Sequence, residues 1–280
     1  VNIETMNDSY ETKAAVLAVR EHSDLPVFVT NVYDENEKLL TGASPEAMIA
    51  MLEGLRVDAL GMNCSLGPAQ MKAFVPDFVK NASVPVIVAP NAGLPRSDEN
   101  GGIVYDVGPK EFSEIMAGIV ADGAMIVGGC CGTTPEYISR TVEKTKDIPF
   151  VLNTEKDISV VSSYGKTVAF GKRPVLIGER INPTGKKLFK EALRNNDINY
   201  ILNQALEQVS AGADILDVNV GLPEIDEKEM MVRVVKALQG ITDLPLQIDS
   251  TKPDVIEAAL RVYNGKAIVN SVNGQRDKGA

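Results

Sequence analysis

Short apolar runs rich in β-branched residues alternate with stretches of helical periodicity along almost the whole chain, and this alternation limits the possible folds more than any other feature. It is typical of βαβ units built around a parallel sheet. Five strands are predicted before the middle of the chain, at 1–5, 26–31, 58–64, 85–91 and 124–130. Four more are predicted later, at 174–180, 213–221, 244–250 and 266–272.

The two series of strands are separated by a segment, 148–172, that contains several β-forming residues but no amphipathic helix. We interpret this segment as a domain linker with room for a short hairpin. Because strands in groups of five and four do not make one eight-stranded barrel, two sheets are required. The sequence therefore predicts an α/β protein with domains at 1–147 and 173–280.

Charge and composition exclude several classes of function. The 280 residues include 28 Lys plus Arg and 38 Asp plus Glu, a formal charge of −10, which has the wrong sign for binding nucleic acid phosphates. No apolar run approaches the roughly 18 to 20 residues of a membrane span, and the first residues lack the features of a signal peptide. The single histidine, His22, removes most histidine-based catalysis. We therefore expect a globular protein without nucleic acid or membrane partners.

Three cysteines follow predicted strands: Cys64 ends the third strand, and Cys130 and Cys131 end the fifth. An odd count with an adjacent pair does not suit a disulfide framework, which favours reduced thiols and a cytoplasmic location. The carboxyl ends of parallel strands meet at one edge, so the thiols are expected to converge there. Three thiolates on zinc leave one position open, where a substrate thiol would lose its proton and accept an alkyl group. The alternative makes these cysteines small apolar core residues.

Polar residues also end the strands of the second series. Asp249 and Asn270 lie at neighbouring strand ends, and their carboxylate and carboxamide can pair with the edge of an aminopyrimidine ring. Asp217 and Asn219 lie one strand earlier and, being two residues apart, point to the same side. Glu179 lies on the strand before that. The competing interpretation is that these side chains cap helices and turns, as strand-end polar residues often do.

The motifs around these residues resemble those of a known family. ETMND, GMNCSLGP, VAPNAGLP and GGCCGTTPEYI are similar to the later part of a zinc-dependent homocysteine S-methyltransferase barrel. GERINPTGKK, LDVNVG, QIDST and VNSVNG are similar to the opening part of a pterin-binding methyltransferase barrel. Their tandem order resembles that of the cobalamin-dependent methionine synthase family. The resemblance implies two (β/α)8 TIM-type barrels in tandem, represented by the last five strands of the first and the first four of the second.

For the first domain, the resemblance implies a zinc site and a substrate site. Cys64, Cys130 and Cys131 match the zinc ligands of the family. Glu4, in the ETM motif, matches the carboxylate that receives the α-amino group of homocysteine. Zinc would hold homocysteine as its thiolate, and the resemblance identifies no catalytic residue beyond this activation of the thiol.

For the second domain, the resemblance implies a folate site. Asp249 and Asn270 match contacts to the pterin ring, and the same pocket is lined by Glu179, Asp217 and Asn219. The implied reaction is methionine synthesis, in which 5-methyltetrahydrofolate gives its methyl group to cobalamin and the homocysteine thiolate then takes it. Cobalamin would be bound by another module of the same parent chain.

Three further expectations complete the interpretation. The chain opens at Val1 on a strand, and the family has three barrel strands before ETM and four after VNSVNG. We therefore expect a segment of a longer enzyme that is inactive alone.

An alternative enzyme joins the zinc methyltransferase to a dihydropteroate synthase-like or corrinoid methyltransferase barrel with another methyl donor. A non-enzyme alternative, a scaffold with degenerate barrels, predicts neither zinc nor pterin binding.

Overall fold

The computed structural model of the chain describes residues 1–99, 101–150, 152–154, 156–171 and 173–272. The chain divides into two units, Val1–Asp157 and Ile158–Ala280. The last part of the predicted second domain, 273–280, lies outside the described residues, as do three positions of the predicted linker, Val151, Glu155 and Lys172.

The first unit is built around a parallel sheet. Its strands are β1 (Asn2–Met6), β2 (Phe28–Asn31), β3 (Ala59–Asn63), β4 (Val86–Ala89), β5 (Pro95–Ser97), β6 (Ile103–Tyr105) and β7 (Ile126–Val127). Its helices are α1 (Ser9–His22), α2 (Pro45–Gly54), α3 (Pro68–Asn81), α4 (Pro109–Ala121) and α5 (Pro135–Thr145). The sheet order β1-β2-β3-β4-β7 follows the chain, and every pairing in it is parallel.

Local chemistry explains where these elements begin. Helix α2 starts at Pro45, whose fixed φ suits a first turn, and the side chain of Ser44 accepts a hydrogen bond from Ala47 N at 3.3 Å. Strand β3 is buried along its whole length, as expected for a parallel strand covered on both faces. Its Leu60 and Met62 join helix residues such as Phe112 in one apolar core.

The backbone of β4 leaves no room for a side chain at Gly61 of β3. A Cβ added there would lie 1.9 Å from Ile87 O, which is backbone and cannot move aside without breaking the ladder. We expect Gly61→Ala to lower the free energy of unfolding by about 3 kcal/mol, as overpacking of a core does, measured by chemical denaturation. Gly165→Ala, whose added Cβ meets nothing within 4 Å, is the control, and equal losses in both variants would contradict the close approach.

The second unit is built around a four-stranded parallel sheet in the order β10-β11-β12-β13. Its strands are β8 (Val160–Ser162), β9 (Thr167–Ala169), β10 (Ile177–Ile181), β11 (Ile215–Val218), β12 (Leu246–Asp249) and β13 (Ile268–Asn270). Its helices are α6 (Lys187–Arg194), α7 (Ile198–Ser210), α8 (Glu227–Gln239) and α9 (Pro253–Val262). Strand β11 and helix α8 supply much of its separate apolar core.

The segment predicted as a linker, 148–172, contains the boundary between the two units. Beyond that boundary it forms the antiparallel hairpin β8–β9, which belongs to the second unit. Ser162 N donates to Lys266 O at 2.9 Å, and the hydroxyl of Tyr263 donates to Ser162 O at 2.9 Å. The hairpin is therefore bonded to the part of the second unit that follows it. Its amino-acid composition did not predict these hydrogen bonds.

All nine predicted strands coincide with strands of the two parallel sheets, which confirms the α/β fold. The β5–β6 hairpin was not predicted; it is inserted between β4 and α4 and pairs in antiparallel fashion. Among the described residues, none of the helices is both long and apolar enough to cross a lipid bilayer.

Candidate functional site

The three cysteines lie together at the carboxyl end of the first sheet. Cys64 directly follows β3, and Cys130 and Cys131 follow β7. Their sulfur atoms all lie within 4.8 Å of one another, and Cys64 Sγ is 3.8 Å from Cys131 Sγ. The expected convergence of the thiols is therefore present, although Cys64 and Cys130 are 66 positions apart in the sequence. Their role as metal ligands stays a prediction.

The sulfur cluster, Cys64, Cys130 and Cys131, has the dimensions of a zinc site. Two sulfurs bound to one tetrahedral zinc, at Zn–S distances of about 2.3 Å, are separated by about 3.8 Å. The observed Cys64–Cys131 separation of 3.8 Å matches this value. Thiolate sulfur also binds zinc in preference to hard cations such as Mg²⁺ and Ca²⁺, which take oxygen ligands. The residues present therefore fit zinc in both geometry and donor chemistry.

The backbone conformation of Cys64 places its side chain beside the other two cysteines. Cys64 and the following Ser65 both have left-handed backbones, with φ of 61° and 63°, which non-glycine residues seldom adopt. The turn is held by hydrogen bonds from Cys64 N to Ala89 O, at 3.1 Å, and from Leu66 N to Cys64 O, at 2.7 Å. The chain thus turns sharply at Cys64, where its sulfur lies beside the other two.

The adjacent pair is fixed by the loop that follows β4. Cys130 N donates to Pro90 O at 2.8 Å, and Cys131 N donates to the buried carboxamide Oδ1 of Asn91 at 3.0 Å. Ala92 N in turn donates to Cys131 O at 2.9 Å. Both cysteines are therefore held by the same loop, which fixes the spacing between them.

Burial and the neighbouring sulfurs make Cys130 hard to ionise without a cation. The pKa of Cys130 is raised to about 11, first by burial and then by the neighbouring Cys64 thiol. A bound cation would reverse this effect, because it stabilises thiolates that otherwise repel one another. The electrostatics of the cluster thus favour occupation by a metal ion.

Glu4 lies beside a break in the first strand. The pairing register of β1 with β2 shifts between Ile3 and Met6, and Thr5 has a φ of 63°. Asn63 holds the displaced segment, since its Oδ1 accepts from Thr5 N at 3.0 Å and its Nδ2 donates to Thr5 Oγ1 at 2.8 Å. The same Nδ2 lies 3.8 Å from Cys130 Sγ. The exposed Glu4 therefore directly precedes Thr5, which is linked to the sulfur cluster through Asn63.

Tyr105, at the end of the β5–β6 hairpin, also reaches the cluster. Its pKa is raised, first by burial and then by the thiols of Cys131, Cys64 and Cys130. Its ring lies against Gly132, where an added Cβ would be only 2.3 Å from Tyr105 Cδ2. Gly132 also has a φ of 80°, so both space and backbone require glycine beside the cysteine pair.

In the second unit, Asp249 and Asn270 lie side by side. They are paired in the register of β12 with β13, at the carboxyl ends of both strands. Asn219 Nδ2 donates to Asp249 Oδ2 at 2.9 Å and so orients that carboxylate. Three of the five predicted pocket residues are thereby brought together at one edge of the sheet.

Asp217 lies on the same sheet, with its side chain largely buried. It accepts a short hydrogen bond from Gln247 Nε2, and Gln247 is its partner in the register of β11 with β12. The pKa of Asp217 is raised, mainly by burial and further by the charges of Asp249 and Glu179, although the bond from Gln247 opposes the shift. Asp217 is therefore harder to ionise than an exposed aspartate.

The raised pKa of Asp217 gives a testable dependence on pH. The stability that this group contributes is fully present below its unfolded-state pKa of about 3.9 and is lost as the pH rises through the higher folded-state value. Asp217→Asn keeps an acceptor for Gln247 without the charge. We expect the variant to unfold at higher urea concentration than the unmodified chain at pH 8, with the difference vanishing near pH 3.

Asp214 provides a control of opposite sign. Its pKa is lowered to about 2 by hydrogen bonds from Arg173 and Leu176 N. Its stabilising effect is present at neutral pH and lost as the pH falls towards that value. Asp214→Asn should therefore unfold at lower urea concentration at pH 8, and the same sign in both variants would contradict the burial of Asp217.

Glu179 lies in a second strand interruption, where the register of β10 with β11 shifts between Gly178 and Ile181. Lys186 Nζ lies 3.5 Å from Glu179 Oε2 and donates to the backbone oxygens of Glu179 and Arg180 at 3.2 and 3.3 Å. The lysine therefore ties the exposed acid to the loop that leads into α6.

Four residues of these sites escaped the sequence reasoning: Thr5, Asn63, Tyr105 and Gln247. Gln247 had a usable signal, because it lies two residues before Asp249 and so shares its side of the strand. Asn63 directly precedes Cys64. Tyr105 had no such signal, because it reaches the cysteines only through a hairpin that periodicity does not indicate.

The matches to protein families divide the chain near the boundary between its two units. Residues 1–145 match the model of the homocysteine S-methyltransferases. Residues 178–280 match the model described as pterin binding enzyme. The first match contains the sulfur cluster, and the second contains the five polar residues of the second unit.

Similar proteins extend across both matches. Proteins named methionine synthase are 36% identical over 287 aligned positions in Mycobacterium leprae and 34% identical over 282 in Mycobacterium tuberculosis. The alignments cover 98% and 97% of this chain, and 24% and 23% of those proteins. The chain thus spans about a quarter of the length of the curated relatives it matches.

Among solved structures, the apo form of the homocysteine methyltransferase MmuM from Escherichia coli aligns with a TM-score of 0.42 and 23% identity. That alignment covers 51% of this chain and 48% of that one.

Proposed function

The chain belongs to the homocysteine S-methyltransferase family, and from this membership we propose that its first unit binds homocysteine at a zinc ion held by Cys64, Cys130 and Cys131. The observation that carries the proposal is the convergence of three sulfurs within 4.8 Å at the carboxyl end of the sheet. Three protein ligands leave one tetrahedral position for the substrate, as catalytic zinc sites do.

Bound zinc would lower the pKa of the homocysteine thiol, so that the substrate is a nucleophilic thiolate near neutral pH. The chain's own residues position that sulfur. The three cysteines fix the direction from which it enters, and the loop after β4 holds two of them through its backbone. Glu4, exposed beside Thr5, would receive the α-amino group of homocysteine as an ion pair.

In the second unit we propose a site for 5-methyltetrahydrofolate. The carboxylate of Asp249 would accept hydrogen bonds from the amino and ring N–H groups of the pterin, and the carboxamide of Asn270 would both donate and accept. Asn219 would keep the Asp249 carboxylate oriented through the 2.9 Å bond between them. Asp217 and Glu179 would complete the pocket wall.

The two sites together favour a methionine synthase reaction in the parent protein. The methyl group would pass from 5-methyltetrahydrofolate to homocysteine with cobalamin as the carrier, bound by a module of the parent protein other than these two units. Three free thiols at one site require a reducing compartment, so we propose the cytoplasm as the location.

Strand order supports a barrel as the setting of each site. Doubly wound sheets reverse their order at a switch point, whereas both parallel sheets here follow the chain without reversal. Consecutive order is the arrangement of (β/α)8 barrels, whose active sites lie at the carboxyl ends of the strands. We propose that the sheets are parts of two such barrels, with domains at 1–147 and 173–280 joined through 148–172.

The proposal is tested with the full-length protein, zinc and cobalamin supplied, and 5-methyltetrahydrofolate carrying an isotopic label in its methyl group. Labelled methionine should form from homocysteine and should cease when zinc is removed by a chelator. Binding of 5-methyltetrahydrofolate without transfer to homocysteine would overturn the reaction. Transfer from another donor, without binding of the folate, would favour the alternative barrel with a different methyl source.

A further inference from the structure

A buried acid of the second unit is bonded to the chain beside the proposed pterin site. Glu227, the first residue of helix α8, is 8% exposed. One carboxylate oxygen, Oε1, accepts a hydrogen bond from the buried hydroxyl of Ser250 at 2.6 Å. The other, Oε2, forms an ion pair with Lys252 Nζ at 3.0 Å. Both oxygens are therefore engaged by the segment that directly follows strand β12.

Ser250 connects this acid to both residues that we propose bind the ring. It directly follows Asp249 in the sequence, and its backbone N donates to the carbonyl oxygen of Asn270 at 2.8 Å. Its hydroxyl donates to Glu227 and also accepts from Lys252 N at 3.1 Å. Ser250 is buried and is bonded through both its backbone and its side chain. The ends of β12 and β13 are thus joined at Ser250, and Ser250 is held by Glu227.

The loop after strand β11 also lies beside Glu227. A Cβ added at Gly221 would lie 3.3 Å from Asn219 Oδ1 and 3.7 Å from Glu227 Oε1, so both side chains border the same glycine. Gly221 N donates to Asn219 Oδ1 at 2.9 Å, and Asn219 Nδ2 donates to Asp249 Oδ2 at 2.9 Å. The carboxylate of Glu227 is therefore close to both segments, after β11 and after β12, that position Asp249.

Preorganisation explains why these bonds would matter for binding. A ring that binds through several protein groups at once loses affinity when those groups are mobile, because ordering them on binding costs free energy. Groups whose positions are already fixed by packing and by further hydrogen bonds avoid this cost. Without Glu227, the buried hydroxyl of Ser250 would lose its acceptor, and the turn that Ser250 holds would be less restrained.

We propose that Glu227 is a positioning residue of the pterin site: through Ser250 it holds the ends of β12 and β13, so that Asp249 and Asn270 are preorganised for the ring. This proposal rests on the 5-methyltetrahydrofolate site proposed for the second unit, and it adds a residue that does not itself touch the folate. The competing interpretation is an acid that only stabilises the first turn of α8, where negative charge interacts favourably with the helix dipole.

The test measures the affinity of the full-length protein for 5-methyltetrahydrofolate by isothermal titration calorimetry. Glu227→Ala removes the acceptor of Ser250 and should weaken binding by about threefold to tenfold, the range that one hydrogen bond contributes. Glu227→Gln keeps an oxygen for Ser250 and removes the charge, so it should restore most of the affinity. Glu229→Ala is the matched control, because Glu229 is an exposed acid in the same first turn, and it should leave the affinity unchanged.

A second variant tests the route through Ser250 and keeps the test valid if Glu227→Ala does not fold. Ser250→Ala should also weaken binding, and adding Glu227→Ala to it should weaken binding no further, because the bond between the two residues is already absent. The same factors are expected with 6-methyltetrahydropterin, which has the ring without the aminobenzoylglutamate tail, because the bonds lead only to groups that we propose bind the ring. Full affinity in Ser250→Ala would overturn the proposal.

Three further outcomes would contradict the proposal. Full affinity in Glu227→Ala overturns it directly, and equal weakening in Glu227→Ala and Glu229→Ala overturns it by assigning the effect to the helix dipole. Losses that multiply when Glu227→Ala is combined with Ser250→Ala overturn it because the two residues would then act independently. Urea unfolding of every variant verifies that folded proteins are compared. Failure of the proposed function is read separately, as absence of 5-methyltetrahydrofolate binding by the unmodified protein, and this result would overturn the inference with it.

Discussion

Replacing Cys64 by alanine is expected to remove zinc from the protein, from about one ion per chain to nearly none, and with it transfer of methyl groups to homocysteine. Only two thiolates would remain for a metal that binds through four ligands. Loss of residues that merely orient ligands costs about 10- to 100-fold in affinity or activity, so loss of a ligand should cost more. Metal analysis after dialysis against a weak chelator measures the first effect, and the methionine assay measures the second.

The backbone supplies a matched control for this variant. Cys64 and Ser65 share the left-handed conformation, so alanine at either position retains the same local strain. Ser65→Ala should keep zinc and activity, which separates loss of the sulfur from distortion of the turn. Zinc retained at full content in Cys64→Ala would show that the sulfur cluster is not the metal site.

The second large effect is expected at the pterin site. Asn270→Ala removes the donor and the acceptor that we propose bind the pterin ring together with Asp249, its register partner. Two lost hydrogen bonds correspond to a fall in affinity for 5-methyltetrahydrofolate of about 10- to 100-fold, since each contributes about 1 kcal/mol and a tenfold change corresponds to about 1.4 kcal/mol. Isothermal titration calorimetry on the full-length protein measures the change directly.

Two controls accompany this variant. Asn195→Ala removes an exposed asparagine at the end of α6 in the same unit and should leave folate affinity unchanged. Zinc content should be normal in Asn270→Ala, just as folate affinity should be normal in Cys64→Ala. Unchanged folate affinity in Asn270→Ala would place the ring elsewhere in the second unit.

The strands and the cysteines could be predicted because their signals are local. A buried strand shows its apolar run whatever surrounds it, and parallel strands bring their carboxyl ends to one edge in any such sheet. Cys64 and the Cys130–Cys131 pair could therefore be placed together from the positions of two strand ends. Asp249 and Asn270 followed from the same rule, and the register of β12 with β13 brings them side by side.

The rest depended on side-chain contacts that no local pattern encodes. Tyr105 lies beside the cysteine pair only because the β5–β6 hairpin brings its ring against Gly132, and the carboxamide of Asn63 bonds to Thr5 on another strand. The pairing of Gln247 with Asp217 requires the register of β11 with β12. Sequence patterns locate the strand ends, but three-dimensional packing decides which side chains around them meet.

The interrupted strands β1 and β10 have a consequence for how such sites change over time. At each interruption the backbone is held by a side chain from elsewhere: Thr5 N by Asn63, and Arg180 N by Gln208, at 2.8 Å. The backbone next to each acid, Glu4 or Glu179, is thus held by a residue distant in sequence. One substitution at such a supporting residue can turn the acid towards a different ligand while the strand and its sheet stay intact, so a new specificity can arise without a new fold.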